Sequence, residues 1–437
     1  MARQITTGPR EEAAVDEIRD RAVPLREPRD VASILDVIGD VDYVLLGEAT
    51  HGTSEFYSWR ARISARLIEQ QENAFVAVEG DWPDCYHVNE FVRGEHRETM
   101  ARDALSTYTR WPTWMWANWE FLEFADWLHG YNMGRDPDEM AGFYGLDVYS
   151  LYDSIHRVVD YLERTDLELA EQARNAYHCF EPFGEDAREY AQNLRLVPDT
   201  CEDEVIEVLS NLRERRPEFE ALDGEPFFDA EQNALVVDNA EAYYRAMGRG
   251  GANSWNVRDR HMAETLDRLV DHYGPDATGI VWAHNTHVGD ARYTDMPLRG
   301  NLNLGQLVRE RADPDDVAIV GFGTHHGSVI AADGWGDPNR AMDVPDAKPG
   351  SYEALFHRAG VGDCVIDLPD DGPLAEKRGH RAIGVSYSPS YEGGNYVPTE
   401  LGNRYDAFVS IDETEALHPL KHEEPEATEP ETYPWGV

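Results

Sequence analysis

Seven short, nearly unbroken apolar runs punctuate the chain: "DYVLLGE" (Asp42–Glu48), "AFVAVEG" (Ala74–Gly80), "GFYGLD" (Gly142–Asp147), "TGIVWAH" (Thr278–His284), "DVAIVGFGT" (Asp316–Thr324), "DCVIDL" (Asp363–Leu368) and "YDAFVSID" (Tyr405–Asp412). A strand covered on both faces cannot alternate polar and apolar residues, so runs of this kind predict inner strands. Between the early runs, Ser54–Gln70 and Trp114–Leu128 space their apolar residues as helices do. That alternation predicts βαβ units and a three-layer α/β fold, a parallel or mixed sheet flanked by helices. Residues 150–275 contain no convincing strand, and the stretches 229–247 and 256–273 read as amphipathic helices, with Val236, Ala240, Tyr243 and Met247 on one face of the first. The expected organisation is a core made of residues 1–149 and 276–417, a large helical insertion over 150–275, and an acidic, proline-rich, disordered tail over 418–437.

Charge changes the picture most. The 437 residues carry 84 acidic and 39 basic side chains, a net charge of −45, and three of the basic residues are lysines (Lys348, Lys377 and Lys421). Such a surface repels nucleic acid and anionic membranes, and its self-repulsion is relieved by salt, which suggests the cytoplasm of a halophile. Four scattered cysteines, Cys85, Cys179, Cys201 and Cys364, form no metal-binding pattern and read as reduced. No apolar stretch has the length of a signal peptide core or a membrane span, so a cytoplasmic location is expected.

In open α/β sheets, ligands sit beyond the carboxyl ends of the strands. Here those ends carry Glu48 and His51, Glu79 and Asp81, Asp147, His284 and His287, and His325 and His326. In "LLGEATHGTSEF" (Leu45–Phe56), Thr50 or Thr53 can cap the helix that follows, and Glu48 or Glu55 can hold one ring nitrogen of His51. A neutral, oriented imidazole is what a general base requires, although an isolated histidine can equally be a satisfied loop residue. "AHNTH" places His284 and His287 directly after a strand. Arg258 can clamp a carboxylate such as Glu79 or stabilise an oxyanion, and Arg60 lies on the helix that follows His51. The tryptophans of "WPTWMWANWEFLEFADWL" (Trp111–Leu128) suit a core, and some could wall an apolar cleft. The chain lacks G-x-S-x-G, H-E-x-x-H, a phosphate-binding P-loop and a G-x-G-x-x-G turn, which leaves water activated by histidine and carboxylate, with or without a metal.

Eight blocks, "GEATHGTSEF", "WPTWMWANWEFLEFADWL", "GLDVYSLYDS", "RDRHMAETL", "VWAHNTHVGD", "NLGQLVRERADPDDVAIVGFGT", "GVSY" and "YDAFVSIDETEALHPL", resemble those of the erythromycin esterase family in the same order. The resemblance implies hydrolysis of a macrolide lactone or related ester, with a role in antibiotic resistance suggested by the family name. It makes His51 the general base, Glu48 and Glu79 catalytic carboxylates, and His284, His287 and Arg258 their companions. Arg60, Trp114, Trp116 and Asp259 are the expected substrate contacts. No cofactor is required, though the His/Glu cluster could hold a divalent ion. A metal-dependent hydrolase and a ligand-binding module without turnover remain the alternatives.

Overall fold

Where the apolar runs fall, strands form. The computed structural model describes residues 9–71, 73–95, 100–183, 190, 201–249, 253–369 and 371–421. Its strands, in chain order, are β1 (Val23–Pro24), β2 (Tyr43–Leu46), β3 (Ala74–Asp81), β4 (Gly142–Asp147), β5 (Thr278–Trp282), β6 (Val317–Ala331), β7 (Arg340–Val344), β8 (Cys364–Asp367), β9 (Arg378–Arg381), β10 (Tyr396–Thr399) and β11 (Ala407–Thr414). Nine of them make one mixed sheet in the order β1-β8-β11-β6-β2-β5-β3-β4, with β7 paired to β6, and β9 and β10 form a separate antiparallel pair.

Strand β2 lies between β5 and β6 and is parallel to both, with Leu46 opposite Trp282 and Val320. Strand β11 is parallel to β6 and antiparallel to β8. The carboxyl ends of β5 and β2 therefore open on one edge, where His284 and Glu48 follow, beside the stretch of β6 beyond Val320 that carries His325. The predicted parallel or mixed sheet flanked by helices is what the chain adopts. Each of the seven apolar runs contains a strand. The fifth run extends to Ala331, because β7 pairs with Gly327–Ala331 and supplies hydrogen bonds after the apolar pattern has ended.

The chain divides into two compact units, Met1–Val76 with Phe91–Gly142 and Tyr273–Val437, and Ala77–Glu90 with Phe143–His272. In the first unit the helix Ser54–Gln70 follows β2 as its periodicity predicts. The tryptophan-rich helix begins later than expected, at Trp119, because Asn118 caps it: its Oδ1 accepts from Phe121 N at 2.7 Å while its Nδ2 donates to the carbonyls of Trp114 and Met115. Trp114 and Trp116 sit ahead of that cap and are buried, Trp116 packing edge-on against Tyr57 and Phe121.

The second unit is helical apart from the end of β3 and β4. Its helices include Leu151–Thr165, Leu167–Tyr177, Glu202–Glu214, Arg216–Arg249 and Asn253–Tyr273, and no strand occurs among its described residues after Asp147. Val236, Ala240 and Tyr243 are buried, and Met247 packs against the apolar cluster that holds Ala240 and Tyr243. One expectation is overturned here: Cys179 and Cys201 are joined as a disulfide, their Cα atoms 5.9 Å apart. The two are 22 residues apart in sequence, and that spacing carries no information about the fold that brings them together. Cys85 and Cys364 are free and buried. Among the described residues, no helix is long and apolar enough to cross a membrane. Residues 422–437, most of the predicted tail, lie outside the described residues.

Candidate active site

The loop after β2 is built to hold one histidine. Gly47 and Gly52 are required by close approach: a Cβ on Gly47 would lie 2.1 Å from Asn285 Oδ1, and one on Gly52 would lie 1.9 Å from the carbonyl oxygen of Ile330. Between them the backbone is tied down on several sides. Asn285 N donates to Glu48 O, Ile383 N to Ala49 O, and both Ile330 N and Leu417 N to Gly52 O, at 2.8–2.9 Å. Thr53 occupies the N-cap position but makes no side-chain cap; its hydroxyl lies 2.5 Å from that of Thr50.

Within this loop Glu48 Oε1 lies 2.8 Å from His51 Nδ1. A carboxylate only accepts, so Nδ1 is the protonated nitrogen and the neutral ring keeps its lone pair on Nε2. Glu55, the other candidate partner, instead accepts from the backbone N–H of Glu415. Arg60 Nη2 donates to Glu48 Oε2 at 2.5 Å, and its guanidinium carbon lies 4.4 Å and 5.1 Å from the ring centres of Tyr57 and Trp282. Arg60 is 0 % exposed, and its Nε and Nη1 have no hydrogen-bond partner among the described residues. Arg60, an expected substrate contact, here lies behind Glu48 and holds the carboxylate that orients the imidazole.

Across the loop, the rings of His51 and His284 are 4.9 Å apart at an angle of 43°. His284 Nδ1 accepts from Thr286 N at 3.2 Å, which places the proton of the neutral ring on Nε2. His51 therefore carries an acceptor and His284 a donor, side by side. His287 follows on the short helix Asn285–Val288, and like His284 it is buried. Asn285 links this segment to residues that sequence reasoning missed: its Nδ2 donates to Phe322 O at 2.7 Å and lies 3.1 Å from Nε2 of the buried His380, whose Nδ1 is 2.7 Å from Glu353 Oε1. His380 lies on the four-residue strand β9, where no pattern draws attention to it.

The second unit holds a different cluster. Arg258 Nη2 donates to Glu79 Oε1 at 2.7 Å and to Asp147 Oδ2 at 2.6 Å, while its Nε donates to Asp147 Oδ1 at 2.9 Å. Of the two roles open to Arg258, the geometry is that of the carboxylate clamp. Burial alone would push the Asp147 carboxyl up, but the charge and hydrogen bonds of Arg258 outweigh it and hold the group below its ordinary range. The guanidinium also lies 4.9 Å from the Tyr149 ring centre. Asp259 and Trp114, expected as substrate contacts, are both 0 % exposed. Asp147, placed at a strand end by the sequence, is the member of this cluster to which the sequence assigned no role.

The chain belongs to the erythromycin esterase family, whose model matches residues 68–414. The match includes Glu79, Trp114, Trp116, Arg258, Asp259, His284 and His287, and begins after the Glu48–His51 loop. The chain is 22 % identical over 361 residues to the Bacillus subtilis protein YbfO, named as a hydrolase, covering 78 % of this chain and 77 % of that one. It is 22 % identical over 385 residues to erythromycin esterase type II of Escherichia coli, covering 81 % and 89 %. The fold is shared with a Bacillus cereus protein (TM-score 0.78, 18 % identity, 94 % and 99 % covered) and with a histidine-to-asparagine variant of the erythromycin esterase EreC in its open conformation (TM-score 0.67, 17 % identity, 90 % and 97 % covered).

Proposed function

We propose that the protein hydrolyses a macrolide lactone or a related small-molecule ester with water activated by His51. In this reading Nε2 of His51 takes a proton from water as the oxygen adds to the ester carbonyl, and His284 Nε2–H donates to the oxyanion that forms. Collapse of the tetrahedral intermediate breaks the C–O bond, and His51 returns its proton to the departing alkoxide, giving a carboxylic acid and an alcohol. Glu48, held by Arg60, compensates the imidazolium while it exists. The observation that carries the reading is the chain Arg60–Glu48–His51, buried and geometrically complete. Glu48 directs both oxygens to protein donors, which favours proton transfer over metal ligation. Glu79, Arg258 and His287 enter on the family resemblance, with Arg258 as the clamp that orients Glu79. A resistance role follows if a macrolide is the substrate.

The test is a panel of macrolide lactones and simple esters incubated with the parent and with His51→Asn, with ring-opened or cleaved product read by mass spectrometry. A positioned base contributes about 10²- to 10⁴-fold. A loss of that size in a variant with unchanged circular dichroism supports the reading, and hydrolysis at the parental rate ends it.

A further inference from the structure

A second group of histidines, on β6 and beside it, is unused by the hydrolytic proposal. We propose that His325, His326 and Asp346 form a binding site for a divalent first-row transition ion of the zinc class. The three side chains each offer one ligand atom, and these atoms all lie within 4.8 Å of one another. Two imidazole nitrogens and one carboxylate oxygen suit zinc and its neighbours, while calcium and magnesium prefer all-oxygen sets.

The site is built and not merely crowded. His325 is 7 % exposed, and Nδ1 of both His325 and His326 is enclosed with no hydrogen-bond partner among the described residues. Buried polar atoms are ordinarily paired, so two adjacent imidazoles that each keep an unsatisfied nitrogen are an unusual feature of this cluster. Nε2 of His325 lies 4.0 Å from Asp346 Oδ1. That is too long for a hydrogen bond and slightly wider than the roughly 3.3 Å that separates two ligands on a tetrahedral ion with bonds of about 2 Å. Asp346 has a side chain 87 % exposed.

Supporting contacts fix the frame. The fully buried Arg381 donates from Nη1 to the carbonyls of Thr324 and His325, and from Nη2 to the carbonyl of Pro345, at 2.8–2.9 Å. One guanidinium thereby staples the backbone of His325 to that of the residue before Asp346. The ring of His357 stacks on His325 at 3.9 Å with 6° between planes, and its own Nδ1 lies 2.8 Å from Asp412 Oδ1. Outer contacts of this sort orient the ligands of metal sites. Asp346 follows β7, which pairs with the far half of β6, so an ion here would tie the start of that hairpin to its exit.

The probes are Zn²⁺ and Co²⁺ added singly to the full chain freed of metal with chelator, in excess Mg²⁺ to occupy the acidic surface. The proposal expects about one tight equivalent of Zn²⁺, a rise in Tm on binding, and visible Co²⁺ bands of fewer than six ligands. The double variant His325→Gln/His326→Gln should lose all three signals, and Asp346→Asn, a surface change that leaves folding intact, should weaken binding by at least about tenfold. His51→Asn should bind as the parent does. The proposal is overturned if the parent holds no tight equivalent, if the double variant and Asp346→Asn both bind like the parent, or if His51→Asn alone abolishes binding.

Discussion

The two buried arginine clusters look alike in composition and differ in closure. In the first unit Arg60 holds one oxygen of Glu48, whose other oxygen goes to His51. In the second, Arg258 reaches two carboxylates, Asp147 and Glu79, from one guanidinium. The first cluster ends in a ring nitrogen with a lone pair and can pass a proton. The second is a charge clamp, two anions around one cation, whose evident work is to hold carboxylates in place. In the first cluster the second oxygen of the glutamate goes to an imidazole, and that contact is what links the buried arginine to proton transfer.

Substitutions can break that contrast. The largest effect is expected on rate: Glu48→Gln should reduce ester hydrolysis about 10²-fold or more, because an amide can turn its N–H₂ towards His51 and favour the wrong tautomer. Steady-state kinetics on any ester the parent cleaves would check it, and an unchanged kcat would dissolve the distinction between the clusters. Stability should discriminate in the opposite direction. Arg258→Met removes the cation that two buried carboxylates share and should cost about 3–5 kcal/mol, whereas Arg60→Met leaves one carboxylate still facing a histidine and should cost less. Urea unfolding of both variants gives the comparison, and equal losses would contradict it.

Smaller effects concern pH within the helical unit. Burial pushes Asp229 up to about 6, Arg157 and the Trp82 N–H opposing, and pushes His261 down to about 4. The signs are opposite. Between pH 6 and its ordinary value of 3.8 the folded chain holds a proton on Asp229 that the unfolded chain releases, so this group costs stability above pH 6 and the cost disappears as pH falls. Between 6.5 and about 4 the unfolded chain protonates His261 and the folded chain does not, so stability falls with pH through that window. Asp229→Asn keeps an acceptor for Trp82 Nε1 and should stabilise the protein by about 1–3 kcal/mol at pH 8 and by little at pH 4. The same gain at both pH values would refute the assignment. Least specific is salt: with a net charge of −45, Tm should climb from dilute buffer to molar KCl, and a flat response would remove the halophilic reading.

Much of the architecture was legible because inner strands must be apolar on both faces, and β2, β4 and β5 fall inside their predicted runs. The unpredicted strands, β1, β7, β9 and β10, are short, contain proline or charged residues, and depend on partners distant in sequence. At the candidate site, the pairing of His51 with Glu48 and the approach of His284 could be anticipated from strand ends. Arg60 behind the carboxylate, Asp147 in the clamp, and the Asn285–His380–Glu353 chain could not, since each is defined by a contact and not by a local pattern. The same holds for the Cys179–Cys201 bridge.

The hydrogen bonds that frame the His51 loop come from Asn285, Ile330, Ile383, Glu415 and Leu417, all more than two hundred positions downstream. On a translating ribosome the nascent chain therefore exposes this histidine long before anything exists to seat it. Competence for hydrolysis should arrive late and all at once, when the final strand has emerged and docked, so that a stalled or shortened chain would be inert however well its early helices had formed.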